Sequence, residues 1–123
     1  MTNINTSVIN ECRHKLLQTK EDVLNRIVAI RRELANKETR GDEADLSVSN
    51  LEETQSLTTQ HRLRTQLFEI EAALYRIHKG EYGRCEETEE PIEVERLMAI
   101  PWTRLSIEGA EIRDSLKKKY AQF

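Results

Sequence analysis

The stretch HRLRTQLFEIEAALYRIHK, residues 61–79, carries the pattern that determines the fold. Its large aliphatic side chains recur at alternating steps of four and three residues, at Leu63, Leu67, Ile70, Leu74 and Ile77. A repeat that averages about 3.5 residues places these side chains on one narrow stripe of an α-helix, as in coiled coils. The stretch therefore predicts a long helix that buries one seam against a second helix.

A matching seam lies upstream and predicts that the partner helix belongs to the same chain. Val23, Ile27, Ile30 and Leu34 are spaced four, three and four residues apart. Between about residue 8 and residue 79 there is no proline, which would break a helix, and only one glycine, Gly41. Folding the chain about residues 41–45 pairs three sets of residues: Leu34 with Leu51, Ile27 with Thr58, and Leu16 with Ile70. We predict a mainly all-α fold with a long antiparallel coiled-coil hairpin.

The hairpin turn, residues 40–47, is acidic, and two interpretations remain open. Gly41 can close the first helix while Asp42 or Asp45 caps the second, which needs no function. Alternatively, the carboxylates are presented to a partner, where they share a Mg²⁺ ion or pair with arginines. Beside the turn, polar residues are expected in the seam and predict a softer tip: Thr54, Thr58, His61 and Thr65.

The bulk composition restricts the class of protein. The chain has 123 residues, of which 33% are charged, and no apolar run reaches the ~20 residues that a membrane span needs. Its polar first residues lack the basic and apolar regions of a signal peptide, so we expect a cytoplasmic protein. We also expect a monomer that does not bind membranes. Basic residues cluster only at 117–119, so a protein partner is favoured over direct binding to nucleic acid. No nucleophile–base pair or phosphate loop suggests an enzyme.

The remaining chain predicts a small base below the hairpin. We divide the sequence into an N-terminal segment and hairpin at 1–79, a globular region at 80–105 and a C-terminal helix at 106–123. Glutamates between residues 86 and 95 are expected to form a solvated face. The core of the base is expected to contain the apolar residues Leu97, Met98, Ile100, Trp102 and Ile107.

Three short motifs, in this order and spacing, resemble one known family. They are Asp42-x-x-Asp45-x-Ser47, Gly80-x-Tyr82-Gly83-x-Cys85-Glu86 and Arg96-Leu97-x-Ala99-x-Pro101. Together they are similar to the DksA/TraR family of RNA polymerase secondary-channel regulators, and the similarity covers nearly the whole chain. The resemblance implies a base that resembles a zinc-finger module.

The positions that hold zinc in this family are changed here, so the resemblance implies a degenerate finger. They read Cys85, Thr88, Ser106 and Gly109, and one thiolate cannot build a tetrahedral zinc site. We therefore expect no metal and no cofactor, with apolar packing in place of zinc. Cys85 is interpreted as an inert, small apolar side chain, and the alternative is a redox sensor. The other cysteine, Cys12, and the three histidines show no ligand spacing.

The resemblance also implies a function, as a stringent-response type of transcription regulator. The coiled coil would enter the secondary channel of bacterial RNA polymerase, with Asp42, Asp45 and Ser47 as tip effectors and Arg62 at the polymerase rim. Basic positions that hold guanosine tetraphosphate in the family fall on Glu69, Ile100 and Ala110, so weak dependence on this nucleotide is expected. The alternatives are a Gre-like transcript-cleavage accessory factor and a coiled-coil adapter protein.

Overall fold

The computed structural model describes residues 4–40 and 46–121 of the chain. Four helices follow in order: α1 at Thr6–Arg40, α2 at Leu46–Lys79, α3 at Val94–Ala99 and α4 at Ile107–Ala121. The described residues contain no strand longer than an isolated bridge between Arg84 and Pro91, which confirms the all-α prediction. None of these helices has a stretch that is both long and apolar enough to span a membrane.

The chain divides into two compact units, and the first to be considered is Thr19–Phe68. It contains the C-terminal half of α1 and the N-terminal half of α2, and the short connection between them makes the two helices antiparallel. Val23, Ile27 and Leu63 are buried, as the heptad pattern predicts. Ile30 of α1 lines one shallow groove with Ser56 and Thr59 of α2, which fixes the neighbours across the seam.

The prediction of which polar residues lie in this seam is wrong. Thr54, Thr58 and Thr65 are exposed, and each hydroxyl donates a hydrogen bond to the carbonyl four residues earlier, at 2.9–3.1 Å. His61 and Leu51 are exposed as well. The partly buried positions are instead Ser56, Thr59 and Gln60. The part of the seam nearer the hairpin turn is therefore polar. Its polar residues lie next to the positions that a strict heptad selects, and not at those positions.

The second unit comprises Met1–Gln18 and Glu69–Phe123. Its helix ends are closed locally, because Asn5 Oδ1 accepts from the Ser7 N–H at the start of α1 and Gly80 follows the last residue of α2. Gly80 has φ 77°, and the N–H groups of Gly80 and Glu81 donate to the carbonyls of Ile77 and Arg76. This double hydrogen bond is the Schellman arrangement that ends a helix at glycine.

The core of this second unit differs from the expected one. Its buried side chains are Cys12, Leu16, Ile70, Ala73, Ile77, Tyr82, Cys85, Ile92 and Leu97. Leu97 is buried as predicted, but Met98, Ile100 and Trp102 are only partly buried, and Ile107 is 51% exposed. Tyr82 fills the centre instead, and its hydroxyl donates to the Pro101 carbonyl at 2.7 Å. An aromatic ring with one satisfied polar atom thus supplies much of the buried area.

Candidate functional site

Four residues from two separate chain segments meet around one sulfur atom, and we call them the sulfur cluster: Cys85, Thr88, Ser106 and Gly109. The Thr88 N–H donates to Cys85 Sγ at 3.5 Å, and the Ser106 hydroxyl donates to the same sulfur at 3.4 Å. Cys85 is 1% exposed and Ser106 is 3% exposed. The structure therefore brings together all four positions that the sequence assigns to a former metal site.

Ser106 also begins α4, and this explains why a hydroxyl suits the position. It precedes Ile107, the first residue of α4, and its Oγ accepts a hydrogen bond from the Gly109 N–H at 3.0 Å. A serine that accepts from the third helical N–H is a helix N-cap, which stabilises a helix start by about 1 kcal/mol. The same oxygen donates to Cys85, so one side chain both caps α4 and ties it to the loop that carries Cys85.

Gly109 is required by the distance between α4 and this loop. A Cβ atom at Gly109 would lie 2.5 Å from Cys85 Sγ, closer than carbon and sulfur approach without displacement. It would also lie 3.4 Å from both Ser106 Oγ and Glu87 Cβ. The glycine thus allows the helix to pack directly on the sulfur.

The surroundings of Cys85 change its acidity. Burial disfavours the thiolate and by itself raises the pKa. The hydrogen bonds from Ser106 and Thr88 favour the thiolate more strongly, and together they lower the pKa of Cys85 to about 6. The sulfur is buried and accepts hydrogen bonds from Thr88 and Ser106, and its interpretation as an inert side chain stays a prediction.

A second feature of this unit joins three segments through charge, and we call it the arginine–carboxylate network: Glu69, Glu86, Glu87, Arg104 and Arg113. Arg104 donates to Glu69 of α2 at 2.8 Å and to Glu86 at 2.9 Å. Arg113 of α4 donates to Glu87 at 3.1 Å and lies 3.5 Å from Glu86. The hydrogen bonds from Glu69 and Glu86 raise the pKa of Arg104.

The acidic run is exposed, as expected of a solvated face, and part of it also contacts other segments. The glutamates of the run are all exposed: Glu86, Glu87, Glu89, Glu90, Glu93 and Glu95. Glu86 and Glu87 are bound by arginines, and Glu93 accepts from the Ile107 N–H at 3.1 Å. Glu89 forms only an exposed pair with Arg84 at 3.8 Å. Burial alone would raise the pKa of Glu86, but Arg104 and Arg113 outweigh it and lower that pKa.

The predicted tip residues fall largely outside the described residues. Asp42 and Asp45 lie there, and Ser47 lies in the first turn of α2, where only the backbone is described. Arg62 is described and lies exposed on α2. The structure therefore places Arg62 at the surface and leaves the role of the tip aspartates as a prediction.

Comparisons with known proteins agree with this architecture. Residues 80–114 match the family model of the prokaryotic dksA/traR C4-type zinc finger. A protein of Caulobacter vibrioides named RNA polymerase-binding transcription factor DksA is 36% identical over 103 residues, which cover 80% of this chain and 70% of that protein. This chain belongs to the DksA/TraR family.

Other relatives of this DksA/TraR chain extend the likeness to both units. The structure of transcription factor DksA2 from Pseudomonas aeruginosa matches with a TM-score of 0.85 at 32% identity, over 93% of this chain and 88% of that chain. An uncharacterized protein of Aquifex aeolicus is 35% identical over 116 residues, or 88% of this chain. The match therefore includes the hairpin helices as well as the finger-like segment.

The finger model describes a C4-type zinc site, and the sulfur cluster of this family member does not fit one. Zinc in such sites is held by four thiolates, and only Cys85 offers one. Gly109 has no ligand atom, and Ser106 Oγ is already used as a donor to Cys85 and an acceptor from Gly109. Among the described residues, no three His, Cys, Asp or Glu side chains group as metal ligands.

The arginine–carboxylate network was missed at the sequence level in this DksA/TraR member. From the sequence alone, Glu69 stands only for a basic position that is changed in this chain, whereas Arg104 lies against it at 2.8 Å. The available signal was compositional, since an acidic run at 86–95 is followed by arginines at 104 and 113. Nothing in the spacing of these residues indicates which arginine meets which glutamate, because the pairs are up to 35 residues apart.

Proposed function

We propose that this protein is a transcription regulator that binds bacterial RNA polymerase and inserts its coiled-coil hairpin into the secondary channel. The observation that carries the proposal is the match of 93% of the chain to a DksA2 transcription factor with a TM-score of 0.85. The relative named for RNA polymerase binding supports the partner. Regulation rather than catalysis agrees with relatives that are named as transcription factors.

In this proposal the tip residues act on the polymerase, and the coiled-coil helices hold the tip in position. Asp42 and Asp45 would act near the catalytic region of the polymerase, with Ser47 beside them in sequence. Arg62 would contact the channel rim, which agrees with its exposed position on α2. Charged side chains at the edge of an interface affect the association rate more than the equilibrium affinity, so Arg62 would mainly guide entry of the hairpin into the channel.

The test is in vitro transcription from a ribosomal promoter with purified polymerase. Asp45→Asn removes the charge but keeps the shape, so we expect binding without regulation. Arg62→Ala should mainly slow the association with polymerase. Arg64→Ala removes another exposed arginine two residues away and serves as the matched control. If Asp45→Asn regulates as well as the wild type, the hairpin is an adapter and the proposal fails. Cleavage of backtracked transcripts would instead indicate a Gre-like factor.

We further propose that the finger-like segment folds without zinc. The support is the sulfur cluster, in which the hydrogen bond from Ser106 to Cys85 joins the two segments that four thiolates would join in a C4 site. A structural zinc contributes on the order of 10 kcal/mol, so a chelator should unfold a protein that needs it. We expect chelator to leave the unfolding midpoint unchanged, and stoichiometric zinc in purified protein would contradict this.

Weak dependence on guanosine tetraphosphate is the third part of the proposal. Two of the positions that are basic in the family carry apolar residues here, Ile100 and Ala110, and the third is Glu69. The neighbouring Arg104 is already engaged by Glu69 and Glu86 at 2.8 and 2.9 Å. A phosphate would have to displace these carboxylates to reach it. Transcription with and without the nucleotide tests this, and strong synergy that Arg104→Met removes would contradict it.

A further inference from the structure

The exposed side of α4 carries an apolar stripe, which we call the α4 stripe: Ile112, Leu116 and Tyr120. Their spacing of four residues places them on one side of the helix, and they are 37%, 41% and 72% exposed. Leu116 separates two grooves, one of about 580 Å³ lined also by Arg113 and Tyr120, and one of about 390 Å³ lined also by Glu108 and Ile112. A ridge between two grooves is the shape that another helix packs against.

Beside this stripe, α4 carries a negative charge near its start and positive charges near its end. Glu108 lies in the first turn of α4, and Lys118 and Lys119 lie in the last. Glu108 and Lys119 are eleven residues apart, which is close to three turns, so both lie on the same side of the stripe. A helix with this arrangement is complementary to a second copy of itself that runs antiparallel, because a two-fold axis near residues 113–114 sets Glu108 opposite Lys119.

We propose that the α4 stripe is a self-association surface, on which α4 of a second copy packs antiparallel. In this pairing Ile112 of one copy packs next to Leu116 of the other, and each Glu108 meets a Lys119 across the interface. The stripe belongs to a helix of 15 residues, about 22 Å long and about 10 Å across, so one face covers roughly 220 Å². This area is less than the ~800 Å² that a stable interface buries on each partner. The pairing is therefore weak, and it revises the expectation of a strict monomer to a monomer–dimer equilibrium.

The self-association is independent of polymerase binding, and sedimentation equilibrium of the full chain tests it. Between about 10 µM and 1 mM we expect the average mass to rise from one protomer toward two, as mass action requires. Leu116→Glu should keep the mass of one protomer throughout. Leu57→Glu makes the same change at a residue that is 50% exposed in the other unit, and it should behave as the wild type. Circular dichroism checks that both variants are folded.

An exchange of charges tests the antiparallel arrangement itself. Glu108→Lys or Lys119→Glu alone sets like charges against each other in both contacts, so each variant should stay monomeric. An equal mixture of the two should dimerise again, since each contact then joins a lysine to a glutamate. The proposal is overturned if the wild type stays monomeric at the highest concentration, if the single variants dimerise as the wild type does, or if the mixture fails to pair. A monomeric wild type whose Leu116→Glu variant binds polymerase more weakly would assign this surface to polymerase instead.

Discussion

Replacement of Gly109 by alanine tests the packing of the sulfur cluster, because its effect on the free energy of unfolding should depend on the size of the side chain at position 85. The added Cβ would lie 2.5 Å from Cys85 Sγ, which is 1% exposed, so the contact can be relieved only by movement within this packed unit. Relief needs a shift of about 1 Å in the sulfur or in the start of α4. Overpacking of a buried site typically costs about 1–3 kcal/mol.

The same substitution also has a favourable effect that must be subtracted. Alanine is more favourable than glycine inside a helix by about 0.8–1 kcal/mol. In the wild type the net result should be a loss of about 0–2 kcal/mol in the free energy of unfolding. In a Cys85→Ala background the closest remaining contacts of the Cβ are at 3.4 Å, so Gly109→Ala should be neutral or stabilising. The coupling between the two positions should therefore be about 1–3 kcal/mol.

Urea unfolding followed by tryptophan fluorescence measures this coupling, because it reports on the compact unit that contains both residues. Trp102 is the only tryptophan and lies in the same unit as the sulfur cluster. Gly80→Ala is the matched control, because Gly80 has φ 77° and its Cβ would have no atom within 4 Å. It should destabilise both backgrounds equally through backbone strain. Equal effects of Gly109→Ala in the two backgrounds would refute the close contact of α4 with the sulfur.

Two further predictions concern charge. The pKa of Cys85 is about 6 in the fold against 9.0 for a free thiol, so the unfolded chain binds the extra proton between these values. Stability should therefore rise with pH over this window and be lost as pH falls toward 6, by at most about 4 kcal/mol, and Cys85→Ala should flatten the unfolding free energy against pH. Arg104→Met leaves Glu69 without its arginine and leaves Glu86 with only Arg113 at 3.5 Å. It should cost about 1–2 kcal/mol in urea unfolding at low salt, and less at high salt. Arg84→Met, whose exposed pair with Glu89 spans 3.8 Å, should cost under about 0.5 kcal/mol, and equal costs for the two arginines would contradict the network.

The parts of the fold that follow a local repeat could be predicted from the sequence. Leu63, Ile70 and Ile77 are buried because a heptad pattern fixes which side of a helix meets its partner. The rule failed at Thr58 and Thr65, where apolar residues no longer mark the seam and a threonine can satisfy its hydroxyl on its own helix. Polar positions carry no periodic signal that separates a seam from its flank.

The base was predictable only in part, since its contacts join residues that are far apart in sequence. The four positions of the sulfur cluster could be identified by resemblance, but their hydrogen bonds could not. Tyr82 was quoted only as part of a motif, and its burial depends on the Pro101 carbonyl 19 residues later. Local patterns identify elements, whereas such pairings depend on how a loop returns to the core.

The sulfur cluster and the arginine–carboxylate network act on the same two chain segments, and this suggests how a finger can persist without its metal. A C4 site gains its stability from one ion that binds both segments at once. Here the segment at 85–88 and the start of α4 are joined by the Cys85–Ser106 hydrogen bond and, further along α4, by the Arg113–Glu87 pair. The Glu86 N–H also donates to the Arg104 carbonyl at 2.9 Å, two residues before Ser106. Each contact is weak alone, so the fold depends on all of them forming together, and removal of one should affect the others more than a sum of independent bonds would.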